Sequence, residues 1–365
     1  MKNKLIIIVL ILIILGCFFI KYSNNDKLIT SDYEPKYVIN ELYKSKEIYY
    51  RKLLNDDEKK IYEKVIEAII DFKPSIDIEM PMNNFQEQVS YMQKITDSIM
   101  LDHPEMFYYG NPTYYGTRNN SIIKIGFNYL IAKSEYKDNL NKIKSIINDI
   151  KSKTSELSEY EKIKYIYEYL GNRNNYGSIN TIEGQTALSA FLPNLSPVCA
   201  GYSKASEILF NNVGINSLLI RGDLKNGLFT GDAHLWNLVK VGKYYYIYDV
   251  TQSSTTKGIS KSITYVGLLS MKKSDYSFYY KKVLPLIRYN MDYYKMNNLI
   301  YTYKDNNIEE LKNILKDKGK YVEIRVKNIE GLKMNISNVK KETNINNYWQ
   351  FNDIILVEKR WLNET

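Results

Sequence analysis

The stretch from His234 to Thr251, HLWNLVKVGKYYYIYDVT, constrains the fold more than any other part of this chain. Two runs rich in β-branched and aromatic residues flank Gly242-Lys243, which predicts a hairpin closed by a two-residue type II′ turn. Pairing Val241 with Tyr244 sets Trp236 opposite Asp249 and His234 opposite Thr251. Asp249 is then a diagonal neighbour of His234 on one sheet face, at roughly 7–8 Å between backbones and within side-chain reach. A slip of one residue would send Asp249 to the other face and break the pairing. In the expected register, the hairpin supplies an imidazole and a carboxylate placed to orient it.

Upstream lies VCAGYSKASEILF, which contains the only cysteine outside the hydrophobic N-terminus. Ala205, Ile208 and Leu209 fall on one helical face, so Cys199 is predicted at a helix N-terminus. Unpaired backbone N–H groups there favour a thiolate. Cys199, His234 and Asp249 thus have the chemistry of a nucleophile, a base and an orienting group. The thiolate attacks, the imidazole keeps it ionised and later protonates the leaving amine, and the carboxylate fixes the ring tautomer. Taken singly, each residue also has an ordinary structural use: Cys199 as a small core hydrophobe, His234 as a bonded strand residue and Asp249 as a turn-end carboxylate. Trp236 is expected to wall the cleft. Asn237, facing the opposite way, receives no catalytic role. Farther upstream, Tyr176 and Gln185 are polar residues able to donate to an oxyanion, Gln185 being the candidate taken forward. Both also have ordinary roles in loops or packing.

The blocks VCAGYSKA, HLWNLVKV and YYYIYDVT, in that order and spacing, resemble the core of the transglutaminase-like superfamily of thiol enzymes. The resemblance spans residues 150 to 280 and rests on the three blocks as a set. It implies an α+β, papain-like core in which a helix carrying the cysteine packs on an antiparallel sheet carrying the histidine and aspartate. It also implies acyl transfer through a thioester, with amine or water as second substrate. A softer likeness links the region around DHPEMFYYG to extracytoplasmic members from low-GC Gram-positive bacteria.

MKNKLIIIVLILIILGCFFIKY opens the chain, with Lys2 and Lys4 before an apolar run from Leu5 to Ile20. This reads as a signal sequence or a short anchor, although the run falls below the roughly 20 residues that span a bilayer comfortably. Ile14-Leu15-Gly16-Cys17 resembles a lipoprotein processing box, which makes Cys17 a lipidation candidate. Against it, Phe18 to Ile20 continue the apolar run. Both readings place the rest of the chain on the extracytoplasmic face of the membrane. No disulfide is expected, because Cys17 sits at the membrane and Cys199 has no partner in its domain. The net charge of +9, from 50 basic and 41 acidic residues, suits an anionic wall polymer as a neighbour. No clustered basic patch points to nucleic acid. Two histidines and two cysteines do not make an ordinary zinc site, and no phosphate-cradling glycine loop is present, so neither metal nor cofactor is expected.

Periodicity predicts helices over 57–71, 84–101 and around Leu140 to Ile150. A further helix is capped by Ser158 and Glu161 and is expected to stop at Gly171. Strands are expected at 107–115 and 121–132. His103, at a helix end, reads as structural or solvated. Beyond Gly258 the pattern gives a helix at 308–318 and strands at 321–326 and 354–358, either a separate α+β appendage or a completion of the core sheet. Tyr276, Tyr279, Tyr280, Tyr289, Tyr293 and Tyr294 form an aromatic stretch read mainly as packing, with sugar binding as the other use. The expected organisation is an anchor (1–20), an N-terminal α+β region (21–150), the catalytic core (151–280) and a C-terminal α+β appendage (281–365). The function this implies is a cell-surface cysteine enzyme acting on peptide or protein amides by hydrolysis or transamidation. The alternatives are a non-catalytic transglutaminase-like binding module at the cell envelope and an ordinary papain-type peptidase.

Overall fold

The computed structural model describes residues 38–44, 49–80, 84–116, 122–177, 181–193, 195–225, 231–254, 257–280, 287–304 and 307–360. The anchor segment 1–20 and Cys17 lie outside them. Among the described residues, no helix is long and apolar enough to cross a membrane. The chain divides into two compact units: Met1–His103 with Tyr114–Ile125, and Pro104–Thr113 with Gly126–Thr365.

In the first unit, α1 (Asp56–Ile70) begins with a capping box in which the Asn55 side chain accepts the Glu58 N–H and the Glu58 carboxylate accepts the Asn55 N–H. Its apolar stripe, Val65, Ile66 and Ile69, is buried, as are Met92, Ile95 and Ile99 of α2 (Phe85–Asp102). Asp102 accepts the backbone N–H groups of Tyr50 and Arg51 and the Tyr62 hydroxyl, all inside the fold. A three-stranded sheet in the order β1-β3-β2 comprises short strand β1 (Ser75–Asp77), β2 (Tyr109–Gly116) and β3 (Ile122–Tyr129), the last two with residues in both units.

In the second unit, α3 (Lys133–Thr154) and α4 (Glu159–Arg173) precede a short helix, α5 (Ala187–Phe191), and then α6 (Cys199–Asn212). The central antiparallel sheet contains β4 (Ser217–Leu224), β5 (Gly231–Val241), β6 (Tyr244–Tyr248) and β7 (Tyr276–Phe278), in the order β6-β5-β4-β7. Hydrogen bonds fasten α6 to β5. The Ser203 hydroxyl donates to the Leu235 carbonyl, and the Asn237 amide donates to the Ser203 carbonyl and the Glu207 carboxylate. Asn237 therefore ties sheet to helix.

The C-terminal region forms a sheet of its own and does not extend the central one. It comprises β8 (Ile300–Thr302), α7 (Ile308–Leu315), β9 (Tyr321–Lys327), α8 (Ile329–Glu342), β10 (Ile345–Phe351) and β11 (Ile354–Lys359), with strand order β10-β11-β9-β8. Its Glu323 is half-buried and accepts hydrogen bonds from Thr264, the Tyr265 N–H and the Tyr294 hydroxyl. This sheet thereby holds the loop that follows the central hairpin.

The expected stop at Gly171 does not occur, since α4 runs on to Arg173. A Cβ at Gly171 would lie 2.9 Å from the Ser253 hydroxyl oxygen, so the glycine serves close approach of the 250–254 turn to the helix.

Candidate active site

The hairpin has the register expected of it, with Val241 paired to Tyr244 and Asn237 to Tyr248. Gly242 has φ +58°, as the first central position of a type II′ turn requires. The ladder ends at Asn237 and Tyr248, so the expected pairing of His234 with Thr251 is not made. The Asp249 N–H instead donates to the Gly267 carbonyl (2.9 Å), and residues 250–254 coil into a 3₁₀ turn. The Thr251 N–H folds back onto Asp249 Oδ1 at 3.2 Å. His234 has its cross-strand partner on the other side, at Gly222 of β4.

The side chains of His234 and Asp249 nonetheless meet: His234 Nε2 lies 2.8 Å from Asp249 Oδ2. The ring nitrogen left for the thiol is Nδ1. Cys199, half-buried at the first position of α6, lies where the His234 ring and the Leu235 N–H both favour its thiolate. The structure thus brings together all three residues of the sequence reading.

Two local devices aim the imidazole. Between Gly222 and Leu224 the β4–β5 register shifts, giving β5 an extra residue just before His234. Ala233, in this bulge, takes φ +56°, a left-handed conformation costing roughly 1–2 kcal/mol for a residue with a Cβ. Its N–H donates to Asp223 Oδ1 at 3.1 Å, and the same carboxylate accepts from Ser277 and Tyr279. The other device is the surroundings of Asp249, whose side chain is fully buried. Besides His234 and Thr251, it accepts from the Tyr276 hydroxyl at 2.9 Å and the Gln252 amide at 3.3 Å.

Electrostatics follow from this packing. Burial disfavours a charged His234, but the Asp249 carboxylate and the contact with Cys199 outweigh it and raise the imidazolium from 6.5 to about 10. Burial alone would push the Cys199 thiol up; the hydrogen bond and charge of His234, with the Leu235 N–H, bring it below its ordinary value. Asp249 is also disfavoured as an anion by burial, yet the imidazolium and the Tyr276 hydroxyl hold it below the usual carboxylate range. These interactions favour a thiolate–imidazolium pair backed by a carboxylate.

Trp236, expected as a cleft wall, is wholly buried. It backs the imidazole from within, with ring centroids 5.9 Å apart, and rests on Tyr276 at 4.4 Å. Gln185 lies in the 3₁₀ turn 183–185, beside the start of α6: its N–H donates to the Ile182 carbonyl and its carbonyl accepts Lys204 Nζ. The hydroxyl that reaches Cys199 belongs to Tyr176, which bonds to both the backbone and the sulfur of that residue. The Gly177 N–H donates to the Pro197 carbonyl at 2.9 Å and keeps Tyr176 there. The sequence reading marked Tyr176, but it missed the bulge at Ala233 and the hydroxyl of Tyr276. The bulge has no signature beyond an ordinary alanine, and Tyr276 comes from a separate strand outside the hairpin.

Residues 144–250 match the model of the transglutaminase-like superfamily. No curated protein matches the chain. Among solved structures, one similar chain is a candidate cysteine protease from Cytophaga hutchinsonii, with 12% identity, TM-score 0.27, and coverage of 39% of this chain and 62% of that one. Another is a TGase with 16% identity, TM-score 0.28, and coverage of 48% of this chain and 50% of that one. This chain therefore spans less than two thirds of either.

Proposed function

We propose that this chain, which carries a transglutaminase-like core over residues 144–250, is a cysteine-dependent acyl-transfer enzyme acting on peptide or protein amides. The observation that carries the reading is the set of Cys199, His234 and Asp249 at the tip of α6, in which His234 hydrogen-bonds to Asp249 and favours the Cys199 thiolate. The Cys199 thiolate attacks an amide carbonyl, and the tetrahedral oxyanion takes donors from the N-terminal backbone of α6 and from the Tyr176 hydroxyl, with Gln185 as the alternative donor. The His234 imidazolium gives its proton to the departing amine as the C–N bond breaks, leaving a thioester on Cys199. Neutral His234 then removes a proton from water or a primary amine, which attacks the thioester and regenerates the thiolate. Asp249 holds the ring throughout.

Water is the ever-present acceptor and makes hydrolysis the first outcome to test. The apolar run at Leu5 to Ile20, with Lys2 and Lys4 before it and Cys17 within it, supports an extracytoplasmic site of action, held at the membrane by an anchor or a lipid. The positive net charge supports an anionic wall polymer as neighbour.

The test is to supply a glutamine-containing peptide with a labelled primary amine to the wild type and to Cys199→Ala. Label incorporation lost in the variant means transamidation. Peptide cleavage or deamidation without incorporation, again lost in the variant, means hydrolysis. Equal activity of the two proteins would remove Cys199 from the chemistry.

A further inference from the structure

Asp249 Oδ2 has two close donors, His234 Nε2 at 2.8 Å and the Tyr276 hydroxyl at 2.9 Å, whereas the Gln252 amide is more distant at 3.3 Å. A carboxylate oxygen offers two in-plane lone pairs. With one taken by Tyr276, the imidazole N–H is confined to the other, and the direction of the His234 ring toward Cys199 is set.

We propose that Tyr276 is a positioning residue of this site, whose hydroxyl directs the Asp249 carboxylate and limits its pull on the His234 proton. The inference rests on the acyl-transfer reading above and deepens it.

Three further observations carry it. First, Tyr276 is buried and held by its ring, which lies 4.4 Å from Trp236 and 6.3 Å from His234, centroid to centroid, so its hydroxyl has little freedom. Second, β7 is in register with β4 through Gly222 and Phe278, and Gly222 is also the cross-strand partner of His234. The donor and the imidazole are therefore measured from the same residue of β4. Third, Asp223 on β4 accepts from Ser277, next to Tyr276, and from the N–H of Ala233, next to His234. One inner strand, β4, thus fixes both donors to the carboxylate. Burial keeps the Tyr276 phenol far from ionising, so it stays a donor across the working pH range.

The limiting role follows from charge sharing. A phenol bonded to Oδ2 takes part of the carboxylate's negative charge, and no exposed surface lets water replace it once removed. Without the hydroxyl the carboxylate binds the imidazolium more tightly, and the proton destined for the leaving amine is harder to release. The other ionisable groups facing the His234–Asp249 pair are Cys199 and Tyr176 on one side, and Tyr167 and Tyr248 around the carboxylate.

The chain's two histidines make the test direct. Histidine labelled with carbon-13 gives separate ring signals for His234 and His103, and the second is an internal control. Tyr276→Phe, which keeps the ring packing, is expected to raise the His234 midpoint by on the order of half to one pH unit, leaving His103 unchanged. Site-specific 3-fluorotyrosine at 276, a more acidic donor, is expected to lower it, and serves if the phenylalanine variant does not fold. A His234 midpoint unmoved by both changes, or moved in the opposite sense, overturns the proposal. If the wild-type His234 midpoint is itself not raised above 6.5, the acyl-transfer reading fails first, and the two failures are distinguished.

Discussion

Asp249→Asn is the perturbation that bears most heavily on how the thiol is activated. The change keeps shape and one acceptor oxygen for the Thr251 N–H or the Tyr276 hydroxyl, but it removes the charge. Raising His234 from 6.5 to about 10 corresponds to roughly 5 kcal/mol in favour of the protonated ring, and the Asp249 carboxylate is its main favourable cause. Burial works the other way, so without the carboxylate the ring should titrate at or below its ordinary value. Cys199 would then lose its cationic partner near neutral pH and return to, or above, the range of an ordinary thiol, about 8.5. Alkylation of Cys199 by iodoacetamide, followed over pH 5 to 10 by peptide mapping, reads this shift. In the wild type the rate should stay high well below neutral pH. In Asp249→Asn it should fall about tenfold for each pH unit below ~8, because only the thiolate reacts. Superimposable profiles for the two proteins would refute the reasoning.

The remaining expectations are more local. Activity against pH should be bell-shaped, with an acid limb where Cys199 takes up a proton, below the ordinary thiol range, and an alkaline limb near pH 10 where His234 loses one. Steady-state rates across that range check it. Gly267→Ala should slow alkylation at neutral pH and lower the melting temperature, because the new Cβ would fall 1.8 Å from the Asp249 carbonyl oxygen. Its cost should exceed about 2 kcal/mol in denaturant unfolding. Tyr176→Phe should reduce turnover roughly 10²-fold or more while leaving the alkylation profile near that of the wild type, as expected for an oxyanion donor. Asp102→Ala leaves the Tyr50 and Arg51 N–H groups and the Tyr62 hydroxyl without their acceptor. It should therefore cost more than about 2 kcal/mol in urea unfolding, at about 1–3 kcal/mol for each buried donor left unsatisfied.

Much of the site was legible because it depends on short-range rules. A two-residue turn fixes the hairpin register from Val241 and Tyr244 outward, and that register puts His234 and Asp249 within reach. An apolar stripe beginning just after Cys199 puts the thiol at a helix tip. Where the structure departs from the sequence reading, long-range contacts decide. The 3₁₀ turn at 250–254 depends on the Gly267 carbonyl capturing the Asp249 N–H, a bond between segments with no shared pattern. Gly171 reads as a helix stop, and only the distant Ser253 reveals why the helix continues past it. Trp236 looked like a cleft residue because it neighbours His234 in the strand, yet β7 covers it with Tyr276 and Phe278. The C-terminal sheet was half legible. Strands β9 and β11 show in their apolar runs, whereas α8, with few buried residues, and the mostly polar β10 carry weak periodicity.

The account depends on a negatively charged sulfur at rest, and its ionisation can be measured without knowing the substrate. Ultraviolet difference absorbance between the wild type and Cys199→Ser, titrated with pH, reports that thiolate alone because Cys17 is common to both proteins. The account predicts a thiolate signal already present at neutral pH and lost only on acidification, well below the ordinary thiol range. A signal that grows in only above about pH 8, as for a free cysteine, would contradict it.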